Sequence, residues 1–242
     1  MPGTSGLNKY RKIHTGPVAL VAPGPSIKPQ LNLLNKLPPE RVIAVNTGIN
    51  AVPHAEYAVS QDRQVLQEIA KRANVLFAID KASSRGSKKE TVVFKGLGPW
   101  ELDYSYLNPN YGYRPKRFRK SEAHQGELKW GFSLDLTKGM YSGRTSTYAA
   151  IMMALWMGFT EIYLFGVDLG YEGKDSHFYG SKEWYKTANV EEWFKLTGNA
   201  ISCLAPHLYE LRVRMYNCSP ASRLKTYPYV EYEEACRRIC SG

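Results

Sequence analysis

Short runs of apolar residues alternate with mixed, punctuated stretches through the first eighty positions of the chain. PVALVAPGPSI at 17–27 is apolar until Gly and Pro break it, and QLNLLNKLPPERVIAVNTG at 30–48 reads as a helix, a proline-marked stop and a second strand. AEYAVSQD at 55–62 predicts a third strand. RQVLQEIAKRA at 63–73 sets Val65, Leu66, Ile69 and Ala70 at helical spacing, and NVLFAI at 74–79 predicts a fourth strand. Strands that are apolar nearly throughout, with helices between them, belong to a parallel sheet covered on both faces, so the predicted fold class is α/β.

The rhythm stops at about Lys81 and resumes at about Met140. Between them Gly, Pro, Tyr and charged residues predominate, and TVVFKG at 91–96 is the one strand-like run. A stretch this long without regular pattern predicts a lid-like insert at about 81–140. Beyond it, SGRTSTYAAIMMALWMGF at 142–159 predicts a helix that is apolar all round and therefore buried, with Ser142, Thr145 and Ser146 as candidate caps. EIYLFGVDL at 161–169 predicts a core strand. A helix at 189–204, a strand at 209–218 and a helix near 230–240 complete the pattern.

A chain of 242 residues with 43% apolar composition can bury one core, so 1–242 is read as a single Rossmann-like domain. No run is long and apolar enough to span a bilayer, and the first residues lack the apolar middle of a signal peptide, which sets the expectation of a cytoplasmic protein. Four cysteines, none in a CxxC pair, fit reduced thiols better than a disulfide framework or a zinc site. The net charge of +10 favours phosphates, nucleic acids or anionic surfaces as partners. Its densest cluster, YGYRPKRFRK at 111–120, interleaves aromatics with Arg114, Arg117 and Arg119. That mixture suits a polyanionic acceptor, nucleic acid or anionic glycan, and equally suits a solvated loop.

Polar chemistry concentrates where strands end. Gly24, Pro25 and Ser26 follow the first strand, Asn46 the second and Asp62 the third. Thr145 and Ser146 open the buried helix, Asp168 closes the core strand, and His177 lies in the polar loop DSHFYG at 175–180. Parallel sheets bind ligands beyond the carboxyl ends of their strands, so these positions are expected to converge on one crevice. Glycine permits close backbone approach to a ligand, hydroxyls donate to phosphate, and a histidine near neutrality can take a proton.

The segments PVALVAPGPSI, RVIAVNTGI, AEYAVSQD, TSTYAAIMMALWMGFTEIYLFGVDLGY and SHFYG, in that order, resemble the superfamily that joins bacterial CMP-sialic-acid-dependent sialyltransferases to the MptE-like proteins, which include 6-hydroxymethylpterin diphosphokinases. The resemblance covers most of the chain outside 81–140. MYNCSPASRL at 215–224 is similar to the sialyltransferases' late strand and nucleotide-proximal loop. It implies His177 as general base toward an acceptor hydroxyl, Gly24, Pro25, Ser26, Thr145 and Ser146 on phosphate, and Asn46 on the nucleotide. The sialyltransferases carry two tyrosines after the GxD strand end, whereas here Gly170 stands at the first position and Tyr171 follows one residue later. That departure and Asp62, where the sialyltransferases have asparagine, lean toward the MptE-like pattern, in which Asp62 and Asp168 hold Mg²⁺.

Three readings follow. The first is a glycosyltransferase that uses a nucleotide-sugar donor, requires no cofactor, and relies on His177 with Asp168 and Tyr171 as catalytic residues. The second is a Mg²⁺-dependent diphosphotransferase using Asp62 and Asp168. The third is a non-catalytic basic protein that binds nucleotide or nucleic acid.

Overall fold

The computed structural model describes residues 5–79, 87–98, 100–101, 129–143, 145–170, 175–180 and 190–242. Its strands, in chain order, are β1 (Pro17–Val21), β2 (Val42–Val45), β3 (Tyr57–Ser60), β4 (Val75–Ala78), β5 (Glu90–Val93), β6 (Gly96–Gly98), β7 (Trp100–Glu101), β8 (Lys129–Trp130), β9 (Met140–Tyr141), β10 (Glu161–Phe165) and β11 (Arg214–Asn217). The helices are α1 (Ser5–Asn8), α2 (Leu31–Leu34), α3 (Arg63–Ile69), α4 (Ser146–Met157), α5 (Val190–Ser202), α6 (Ala205–Glu210) and α7 (Tyr232–Ser241).

Seven strands form one sheet in the order β11-β10-β1-β2-β3-β4-β5, every neighbouring pair parallel. All five residues of β1 are buried because the strand is sandwiched between two cores. Val18 and Leu20 enter one, with α4 and α5, while Ala19 and Val21 enter the other, with α3 and α7. Burying a valine or leucine fully is worth about 1.5–3 kcal/mol, so a strand of this composition is stable only when both faces are covered. Every residue of α4 except Leu155 is buried. Having no polar face, that helix lies across β1, β2 and β3 beneath the rest of its layer.

Two expectations need correction. The run at 91–96 is no isolated part of an insert, because β5 pairs in parallel with β4 and forms the edge of the central sheet. The strand expected at 209–218 starts only at Arg214; Tyr209 and Glu210 instead close α6. Pro206 suits the first turn of a helix, and Leu204 and Leu208, four apart, give it a buried side that overrides the strand-like composition. The small pairs β6 with β9 and β7 with β8 lie within the span 81–140 or at its end.

From β1 the chain winds outward to β5 and then returns to place β10 on the other side of β1. The winding direction therefore reverses between β1 and β10, where the loops leaving two neighbouring strands diverge and open a crevice. Backbone meets backbone at that point. The Gly24 amide donates to the Gly166 carbonyl at 3.0 Å, and the Ala22 amide to the Phe165 carbonyl at 2.8 Å. A Cβ on Gly24 would fall inside contact distance of the Gly166 oxygen and 2.8 Å from Asp168 Cγ. Gly166, at φ 67°, would meet the Ala22 oxygen in the same way. Space between the two loops is thus in itself enough to require glycine at 24.

His14 supports the opposite edge of the sheet. Its ring stacks on Phe159 at 4.6 Å and its Nε2 lies 2.8 Å from Tyr57 Oη. Burial first, and then the Arg41 guanidinium, hold its pKa below the usual histidine value, with Glu40 opposing them. The folded state therefore prefers the neutral ring, and its stabilising effect is present above the unfolded value near 6.5 and lost as pH falls below it.

Two outcomes follow from this packing. Gly24→Ala should lower the Tm of the unliganded protein, since overpacking costs about 1–3 kcal/mol and each kcal/mol shifts a protein of this size by about 2–4 °C. An unchanged Tm would mean that the loops are free to separate. Between about pH 7.5 and 5.5, the parent protein should lose more thermal stability than His14→Gln, as calorimetry at each pH can show; equal losses would exclude His14 as the titrating group.

Candidate functional site

Asp168 ties together the loops at the carboxyl edge of the sheet. It stands three residues past β10 and is 8% exposed. The Ser26 amide donates to its Oδ2 at 2.9 Å, and Ser26 Oγ donates to its Oδ1 at 2.6 Å. Ser219 Oγ and Tyr232 Oη lie 3.1 and 3.2 Å from the same serine hydroxyl. Burial drives the Tyr232 phenol well above the ordinary tyrosine range, so it meets this cluster as a neutral hydroxyl. The Arg223 amide donates to the Asp168 carbonyl at 3.0 Å, and Ser222 Oγ donates to the Val167 carbonyl at 2.6 Å. The loops after β1, β10 and β11 are thereby locked into one wall.

The opposite wall comes from β2, β3 and α4. Asn46 follows β2 in the left-handed region at φ 52°, a conformation that asparagine tolerates better than most residues. Its buried Oδ1 has no hydrogen-bond partner among the described residues. Thr145 caps α4, accepting from the Thr147 amide at 3.4 Å. Ser146 points elsewhere: its Oγ accepts from the Gln61 amide at 3.0 Å and fastens α4 to the end of β3.

His177 is brought in by the loop at 175–180. The Phe178 amide donates to the Pro23 carbonyl at 2.9 Å, docking this loop on the one that leaves β1. Ser176 Oγ lies 2.8 Å from His177 Nδ1, and the imidazole stacks on Tyr179 at 5.1 Å. Tyr179 Oη in turn lies 2.8 Å from Thr47 Oγ1, next to Asn46. The ring is therefore held on one edge and one face.

Gly24, Asn46, Thr145, Asp168 and His177 line one cavity of about 90 Å³ at the switch point. Pro25 and Ser26 border a separate hollow of about 320 Å³ with Asp168 and Tyr232. Neither Ser146 nor Asp62 lines either space. α5 adds Trp193, Phe194 and Thr197 to the cavity wall, three residues that the sequence pattern placed only on a helix. Thr197 Oγ1 is buried without a hydrogen-bond partner among the described residues, like Asn46 Oδ1 in the same cavity. The signal that could have marked it is a hydroxyl one turn beyond Trp193, on an otherwise apolar stripe.

The aspartates expected to share Mg²⁺ are not brought together. Asp62 is the cap of α3, accepting from the Gln64 amide at 2.8 Å. Both oxygens of Asp168 are engaged by Ser26. β10 and β3 are separated by β1 and β2, three strand spacings or about 14 Å. No group of three His, Cys, Asp or Glu side chains suited to a metal ion occurs among the described residues. Tyr171 and the arginines expected to meet an acceptor, Arg114, Arg117 and Arg119, lie outside the described residues.

No protein-family model matches the chain, and no curated protein matches it. Among solved structures it is similar to the MAf glycosyltransferase from Magnetospirillum magneticum AMB-1, with a TM-score of 0.52 at 16% identity. The similarity covers 96% of this chain and 38% of that one, so the chain spans little more than a third of that protein's length. At this identity the likeness establishes the α/β fold with its parallel sheet. No helix among the described residues is long and apolar enough to cross a membrane.

Proposed function

We propose that the chain is a glycosyltransferase-like enzyme that moves a sugar from a nucleotide-sugar donor to an acceptor hydroxyl, with His177 as the general base. The observation that carries this reading is the placement of His177 in the same switch-point cavity as Asn46 and the Gly24 loop. The fold likeness to a protein named as a glycosyltransferase and the motif order along the chain agree with it.

The chemistry follows from these residues. In the tautomer whose Nδ1–H donates to Ser176 Oγ, Nε2 is the basic nitrogen of His177. It takes the acceptor hydroxyl's proton as that oxygen bonds to the anomeric carbon. The bond from the anomeric carbon to the donor's phosphate oxygen breaks, and its electron pair leaves with the nucleotide. Asn46 offers an amide to the nucleotide, and the positive end of the α4 dipole at Thr145 faces the developing phosphate charge. Asp168 acts as a positioning residue, since its carboxylate is spent on holding the Ser26 loop.

Binding and turnover test this separately. Nucleotide sugars carrying CMP, UDP or GDP should be compared in a thermal-shift panel; the true donor at about 100 Kd should stabilise by ~2.7 kcal/mol, or about 5–10 °C. Asn46→Gly keeps the backbone compatible with positive φ and removes no internal hydrogen bond, so the free protein's Tm should stay within about 4 °C while the donor-induced shift disappears. His177→Ala should keep the shift and lose ~10²- to 10⁴-fold in transfer rate. Near-normal transfer in that variant would refute the histidine-base mechanism. Turnover abolished by EDTA and restored by Mg²⁺ would favour the diphosphotransferase reading instead.

A further inference from the structure

A groove of about 780 Å³ runs beside the switch-point cavity, between α5 and residues 223–226 of the loop after β11. Leu169 and Phe194 line both spaces, so the groove adjoins the cavity that holds His177. The two openings use adjacent stripes of one helix. Trp193 and Thr197, four apart, face the cavity, whereas Glu191, Lys195, Gly198 and Ser202, spaced by four, three and four, face the groove.

The charges in the groove are unevenly explained by the fold. Glu191 and Glu192 occupy the first turn of α5, where carboxylates are favoured by the helix dipole. Glu191 also forms an ion pair with Arg223 on the facing loop. That pair closes one end of the groove with its charge balanced. Lys195, one turn further along α5, and Lys225, on the opposite loop, have neither an ion pair nor a hydrogen bond among the described residues. Three cations against two carboxylates leave the lining with a net charge of +1, and the two ammonium groups without an ion pair make a locus for an anion. Leu169 divides this locus from the cavity; it is a buried non-glycine residue held at φ 52°, a conformation that costs of order 1–3 kcal/mol and persists only where its surroundings enforce it.

We infer that this groove is the acceptor site, and that the acceptor is a small hydroxyl-bearing molecule carrying a phosphate group. Lys195 and Lys225 bind the phosphate, and the hydroxyl to be glycosylated passes Leu169 to reach His177. A volume of this size suits a single sugar phosphate or a unit of similar size. Asn199, Ser202 and Thr226 supply polar contacts for its other hydroxyls. This assignment rests on the transferase reading of the cavity, but its test does not require turnover.

Binding of inorganic phosphate, glucose 6-phosphate and glucose should be measured by calorimetry or ligand-detected NMR for the parent protein and for a Lys195→Gln/Lys225→Gln double variant. Both lysines are exposed, so the double variant should fold with the parent's Tm. The parent is expected to bind glucose 6-phosphate saturably, more tightly than inorganic phosphate and far more tightly than glucose. The double variant should bind it at least about tenfold more weakly, because two charge-assisted contacts are lost. Stronger binding of inorganic phosphate than of the sugar phosphate would indicate an anion site without acceptor selectivity and overturn the inference. So would the absence of saturable binding to the parent, equal binding by the double variant, or displacement of the bound sugar phosphate by CMP, UDP or GDP, which would make the groove part of the donor site. No transfer activity in the parent protein, with the sugar-phosphate result intact, would count against the transferase reading of the cavity and leave the groove standing as a sugar-phosphate site.

Discussion

The contact between the loops leaving β1 and β10 is the constraint on which the site depends. Gly24 and Gly166 bring the two backbones together where the sheet reverses its winding, and Asp168 joins that contact to Ser26. Each alternative is costly. A side chain at either glycine would force the strands' exits apart, and loss of the Asp168 carboxylate would leave the Ser26 amide and hydroxyl without their acceptor and so release the hydroxyl on which Ser219 and Tyr232 converge. With the wall fixed, the Pro23 carbonyl is in position to receive the Phe178 amide, and His177 is delivered to the cavity.

This division of labour separates residues that build the crevice from residues aimed into it. Ser26, Ser146, Asp62 and Asp168 are polar and stand at strand ends or a helix start, yet each is engaged in holding a loop or a helix start. Asn46 and Thr197 behave differently. Their buried oxygens lack partners among the described residues, a condition they share with His54 Nδ1 alone there, and of the three only Asn46 and Thr197 belong to the cavity wall. An unsatisfied buried acceptor is expensive in the empty protein and becomes an asset once a ligand supplies the donor.

Much of the sheet was legible in the sequence because strands buried on both faces are apolar at every position, as in β1, β2 and β4. The same property made α4 recognisable as a buried helix. β5 reads as part of an insert because an edge strand is only half covered: of Glu90–Val93 only Val92 is buried. At the site, position along a strand predicted proximity to the crevice but not the direction of a side chain. Asp62 and Asp168 could be read as a metal pair from their carboxylates, whereas strand order, which fixes their separation, arises from long-range pairing that no local pattern encodes. Trp193 and Thr197 were missed for a related reason: a helix stripe reveals that it faces something, and only the fold reveals what.

The central claim, that a nucleotide sugar binds beside His177 at the switch point, can be read directly from the five histidines of the chain. Imidazole ¹H–¹³C NMR spectra, assigned by single substitutions, should be followed during titration with the nucleotide sugar that gives the largest thermal shift. The resonance of His177 should move with donor concentration and show an altered titration with pH, while those of His14 and His54, packed at Tyr57 and Leu37, stay in place. A saturating donor that leaves His177 unmoved, or that perturbs the other histidines instead, would contradict the account.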